Sequence, residues 1–141
     1  MKKRILPFII LVIVLLCALF YWKQCRKTKE LPQFSLQGKT EISYGFIKMK
    51  VWDNEAEDGD TINVYFDGKL IKENAAILNK PFVIELGKIS KGEHLFGVEA
   101  ISEGTTSPAS ASMSIYNGSE EKEFAMDASK EKPASWKIIV K

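Results

Sequence analysis

The chain has 141 residues, 27% of them charged, and a formal net charge of +2, a length that allows one domain of ordinary size. Seven basic residues (Lys2, Lys3, Arg4, Lys23, Arg26, Lys27, Lys29) precede residue 30, so residues 30–141 keep 13 basic against all 18 acidic residues, a net of −5. An acidic domain of this kind excludes a nucleic-acid surface, which needs clustered Lys and Arg against phosphate.

Residues 1–29 read as a basic segment, an apolar anchor and a juxtamembrane basic cluster. Ile5 to Trp22 is an uncharged run of 18 residues. As a helix it would be about 27 Å long, close to the roughly 30 Å hydrocarbon thickness, so the run predicts one N-terminal transmembrane helix over 5–22. A cleaved signal peptide is the alternative, because Lys2, Lys3 and Arg4 form a positive n-region. The run exceeds the usual apolar core of about 7–15 residues and ends in bulky Phe20, Tyr21 and Trp22, which favours an uncleaved anchor. Cys17 follows Val14-Leu15-Leu16, which resembles a lipobox, but Leu16 stands where that motif takes a small residue. Basic residues flank both ends, and insertion with the short tail inside places the C-terminal domain outside the cytoplasm, in the periplasm or at the cell surface.

Residues 30–40 are polar, carry Pro32 and Gly38 and show no sustained period, which predicts a stalk. Residues 41–141 read as strand and turn. Ile62, Val64 and Phe66 alternate with Asn63 and Tyr65, and Asp67-Gly68 after them signals a two-residue hairpin. Further short apolar runs are separated by Asn79-Lys80-Pro81, Lys91-Gly92, Ser107-Pro108, Asn117-Gly118 and Lys132-Pro133. In "ISYGFIKMKVW" the apolar phase shifts near Gly45, the mark of a bulge or of a strand changing sheets. The pattern predicts an all-β, immunoglobulin-like antiparallel β-sandwich of about 7–8 strands. Its inner faces would take Val51, Ile62, Val64, Phe66, Phe82, Ile84, Phe96, Val98, Met113, Ile115, Trp136 and Ile138.

Two stretches carry a resemblance: "IKMKVWDNEAEDGDTINVYFDGKLI" (Ile47 to Ile71) and "GEHLFGVEAISEGTTSPASASMSIYNG" (Gly92 to Gly118). Together they resemble an immunoglobulin-like accessory β-sandwich module of bacterial secreted and surface-anchored proteins. The matching positions are Trp52, Asp53 and Asn54 at a corner, Asp58, Gly59, Asp60 and Ile62 at the next strand, and Asp67-Gly68-Lys69 at the hairpin. The hairpin holds Asp where the module has Asn, and Thr106-Ser107-Pro108-Ala109 replaces its usual turn. The resemblance implies an adhesion or accessory domain without catalysis.

Five carboxylates fall within Asp53 to Asp60 without a Lys or Arg among them. An EF-hand loop aligned on Gly59 would place Ala56 at position 3 and Tyr65 at position 12, where oxygen ligands are required, so that motif fails. Asp53, Glu57, Asp58 and Asp60 remain as hard-oxygen candidates for calcium, beside the plainer reading of an acidic turn bonded to its own backbone. Asp60, just before the strand, is expected to bond backbone N–H groups across the corner. His94 is the only histidine and the domain has no cysteine, so zinc ligation and nucleophilic catalysis find little material, and His94 reads as a strand-surface residue. Tyr44, Tyr65 and Tyr116 are expected on outer faces. The expectation is a membrane-anchored, non-catalytic, extracytoplasmic module that recognises a protein partner. The alternative is a calcium-dependent adhesion or carbohydrate-binding domain.

Overall fold

The computed structural model describes residues 12–18, 31–53 and 57–141. The chain divides into two units, Met1–Leu31 and Pro32–Lys141. In the first, a helix covers 12–18, about 10 Å at about 1.5 Å per residue. No helix among the described residues is long and apolar enough to cross a membrane. The remainder of the expected 5–22 span, residues 5–11 and 19–22, lies outside the described residues.

The second unit is all-β. Its strands are β1 (Ser35–Ile42), β2 (Phe46–Trp52), β3 (Asp60–Phe66), β4 (Lys69–Ala76), β5 (Phe82–Lys88), β6 (Gly92–Glu103), β7 (Ala109–Tyr116), β8 (Glu121–Ala128) and β9 (Ala134–Val140). They form a five-stranded sheet in the order β1-β9-β6-β3-β4 and a four-stranded sheet in the order β5-β2-β7-β8. The period-two alternation has its expected result: Ile47, Met49 and Val51 of β2 face Ile62 and Val64 of β3, Phe96 and Val98 of β6, Met113 and Ile115 of β7 and Ile138 of β9 in one core. Phe66, Phe82 and Trp136 pack at its margin. Apolar side chains buried in this way contribute about 1.5–3 kcal/mol each, which holds the domain together without a disulfide.

The structure corrects the stalk. Ser35–Ile42 is a strand, and it pairs with β9 in parallel, Thr40 opposite Ile138 and Ile42 opposite Val140. The sandwich therefore starts well before residue 41, has nine strands rather than seven or eight, and is not wholly antiparallel. A polar edge strand lacks apolar alternation because only part of one face is covered. Phase shift near Gly45 marks the point where the chain leaves the first sheet at Ile42 and enters the second at Phe46. Asp67 and Gly68 hold φ of 47° and 76°, the two positive values that a type I′ hairpin requires.

Two further expectations change. Tyr65 is only 3% exposed; its ring meets Phe34 edge-on at 5.3 Å and its hydroxyl donates to Glu99 at 2.7 Å. Phe34 reaches this face because Gly97 leaves it room, and a Cβ at Gly97 would lie 2.7 Å from the Phe34 ring. Tyr44 and Tyr116 are exposed as expected. His94 is buried rather than on a strand surface, and its partners explain why, as described next.

Candidate functional site: an acidic corner

Three aspartates meet where β2 ends and β3 begins. The Asp53 N–H donates to the Leu78 carbonyl at 2.9 Å, and the Ile77 N–H donates to the Asp60 carbonyl at 3.0 Å. The segment after β4 thus ties both ends of the corner to one backbone. One carboxylate oxygen from each of Asp53, Asp58 and Asp60 lies within 4.8 Å of the others. Asp53 and Asp60 are buried, at 4% and 5% exposure.

A second loop completes the site. Asp58 Oδ2 accepts from the Thr105 N–H at 3.0 Å and the Thr106 N–H at 2.8 Å, and the Thr105 hydroxyl also points to it at 3.3 Å. The Ser110 backbone N–H acts on the Asp60 carboxyl in the same sense, favouring its charged form. Gly104 makes the close approach possible: it holds φ +54°, and a Cβ there would run into Asp58 Oδ1. The result is a pocket of about 340 Å³ lined by the three aspartates and by Thr105, Thr106, Ser107, Pro108 and Ser110.

These bonds leave the charge unbalanced. Asp58 Oδ1 and Asp60 Oδ1 are buried with no hydrogen-bond partner, a costly state for an ionised carboxylate. Burial, then the Asp58 and Asp53 charges, push the Asp60 pKa up to about 6. Burial also pushes Asp58 upward, but the N–H donors of Thr106 and Thr105 outweigh it and hold that carboxyl below its ordinary value. Opposed shifts of neighbouring carboxyls mean that one proton, or one cation, relieves the pair.

Which cation fits follows from the donor set. All the lining polar side chains offer oxygen, with no imidazole or thiolate, which selects a hard ion over zinc or copper. Calcium binds oxygen at about 2.3–2.6 Å, so opposed ligands in its shell stand about 5 Å apart. Carboxylate oxygens within 4.8 Å of one another can share one such shell.

Of the four sequence candidates, Asp53, Asp58 and Asp60 come together and Glu57 does not. Glu57 Oε1 accepts from the Asn79 N–H at 2.7 Å, serving the loop as a turn residue. Glu55 lies outside the described residues. What the sequence reading missed are Thr105, Thr106 and Ser110. Their signal is the hydroxyl run Thr105-Thr106-Ser107 beside Gly104, legible only once β6 is paired with β3 so that Asp60 stands opposite Glu103.

A second polar cluster sits at the far end of β3. His94 Nδ1 lies 2.7 Å from Asp67 Oδ2, and Nε2 lies 2.8 Å from the Ser90 carbonyl and 3.4 Å from its hydroxyl. The order Asp-His-Ser imitates a catalytic triad, but the chemistry differs. Both ring nitrogens face acceptors, an arrangement that favours the doubly protonated ring, which has no lone pair to take a serine proton. Burial pulls the His94 pKa down, and the bonds to Asp67 and the Ser90 carbonyl outweigh it, leaving it raised.

Comparison with known protein families, curated proteins and solved structures finds no match.

Proposed function

We propose that this protein is a membrane-anchored, extracytoplasmic, non-catalytic binding module whose acidic corner holds calcium. The observation that carries the reading is the pair of buried, unpartnered oxygens, Asp58 Oδ1 and Asp60 Oδ1, on two carboxylates that with Asp53 each bring one oxygen within 4.8 Å of the others. An acidic turn bonded only to its own backbone would not leave such atoms on carboxylates that line a common pocket. This favours the calcium-dependent alternative over a plain turn.

Location supports the choice of ion. The Ile5–Trp22 run and its basic flanks favour display outside the cytoplasm, where modules bind calcium at roughly 10⁻⁴–10⁻³ M. The antiparallel trio β9-β6-β3 corresponds to the C-F-G sheet of an immunoglobulin-like fold, with β7 and β8 added as a hairpin in the opposite sheet. Absence of catalysis is supported by the state of the single histidine, which is occupied at both nitrogens. The module's work is then to hold a ligand, a protein or a glycan, beyond the anchor.

The test is a thermal melt of the full chain in lipid nanodiscs, with millimolar calcium and with chelator. Calcium at about a hundred times its dissociation constant adds roughly 2.7 kcal/mol, which moves the midpoint of a domain this size by about 10 °C or more. Coincident melts would return Asp53, Asp58 and Asp60 to the status of a turn.

A further inference from the structure

Trp52 is the last residue of β2, next to Asp53 of the acidic corner. Ile47, Met49 and Val51 point into the core, so Phe46, Lys48, Lys50 and Trp52 project from the opposite, solvent face. Phe66, Phe82 and Trp136 line the margin of the core, and Trp52 stands apart from it. Its neighbours on that face are small: Ser112 of β7 lies directly opposite, and Ala125 of β8 lies opposite Ser112. A depression of about 470 Å³ results, lined by Trp52, Ser112, Glu123, Phe124 and Ala125. That is within the range of small-molecule sites, about 300–1,000 Å³.

Two polar groups of this depression have nothing to bind. Along β7 the flanking hydroxyls are committed, Ser110 to Asp127 at 2.9 Å and Ser114 to Glu121 at 2.5 Å. Ser112, between them and only 6% exposed, has a hydroxyl without a hydrogen bond among the described residues, and it lines the depression. Glu121 pairs with Lys50 at 2.9 Å, whereas Glu123 has neither an ion pair nor a hydrogen bond there. An indole face, a free carboxylate and an uncommitted hydroxyl therefore surround one shallow space.

We infer that this depression is a glycan-binding platform, with Trp52 stacking on the C–H face of a neutral pyranose while Glu123 and Ser112 bond its hydroxyls. The chemistry selects the ligand. Glu123 repels anions and accepts from hydroxyl donors in bidentate fashion. A purely apolar ligand would leave Glu123 and Ser112 desolvated without partners. An ammonium ion is favoured by several aromatic faces, and here the second ring, Phe124, is stacked on Trp136 at 4.7 Å, leaving one free indole. The inference rests on the binding-module reading but not on the calcium, because none of the three aspartates lines the depression.

The test is isothermal titration of the full chain in lipid nanodiscs with cellohexaose, maltohexaose and laminarihexaose, each with calcium and with chelator. At least one saturable isotherm is expected, weakened about tenfold or more by Trp52→Ala and several-fold by Glu123→Gln. Melting within about 4 °C of the parent keeps Trp52→Ala interpretable; should that variant unfold, Glu123→Gln carries the test, since it changes charge and not shape. Three flat titrations, unaltered affinity in the interpretable variants, or displacement of the sugar by tetramethylammonium would each overturn the platform. Glycan binding that persists without any calcium-dependent melt would overturn the acidic corner alone.

Discussion

The two ends of β3 each carry aspartate, and they meet its hydrogen-bonding needs in opposite ways: Asp67 is exposed, whereas Asp60 is buried. At the hairpin end both Asp67 oxygens are satisfied, Oδ1 by the Leu95 N–H at 2.8 Å and Oδ2 by the His94 ring at 2.7 Å. At the corner end three aspartates converge and two buried oxygens have no donor at all. The first end is complete within the chain. The second would be completed by a cation or a proton, and that difference is what the calcium proposal rests on.

The largest way to break the comparison is Asp60→Ala. It should abolish the calcium-induced melting shift of about 10 °C, and a shift preserved in this variant would show that the cation binds elsewhere. His94→Ala should lower stability by about 1–3 kcal/mol with or without calcium, because it removes a buried ring that stacks on Phe66 at 5.3 Å and bonds both Asp67 and the Ser90 carbonyl. A denaturation midpoint equal to the parent's would mean that the hairpin end does not hold the fold.

Acidity sharpens the contrast, since the two ends titrate in different windows. For Asp60 the folded pKa of about 6 lies above the ordinary 3.8, so without metal the native state binds the extra proton and stability falls as pH rises from about 4 to 6. Calcium takes the proton's place, so its stabilisation should grow as pH rises through 6, by up to about 3 kcal/mol. A calcium shift of the same size at pH 5 and pH 7.5 would contradict this. His94 also has a raised folded pKa. Its contribution is full below about 6.5 and is lost as pH rises through the folded value, so Asp67→Asn should flatten the pH dependence only above 6.5. The smallest effect belongs to Glu57→Gln, expected to alter stability by about 0.5 kcal/mol or less and to leave the calcium shift intact.

How far these features could be read from residues alone differs from place to place. The Asp67-Gly68 turn was legible because both its positive φ values are dictated by the dipeptide itself. The core positions were legible because alternation with period two encodes which side chains face inward. By contrast, Asp53, Glu57, Asp58 and Asp60 are chemically equivalent on paper, and only Thr105 and Thr106, donating to Asp58 from a loop more than forty residues away, decide which of them converge. Residues 35–40 of β1 resemble a stalk on paper because their alternation is weak; what makes them a strand is parallel pairing to β9 at the other end of the chain. His94 looked like a surface residue because its partner, Asp67, is 27 positions distant.

The sequence by itself determined the all-β class, the hairpin turn, most of the inward-facing set and the acidic character of the corner, since each of these depends on near neighbours or on a periodic pattern. Only the tertiary structure decided which carboxylates share a pocket, which of their oxygens lack donors, and that Trp52 stands free on an outer face beside an uncommitted serine. Burial and hydrogen-bond satisfaction are properties of all the chain segments that meet at a point, and no local stretch of sequence contains them.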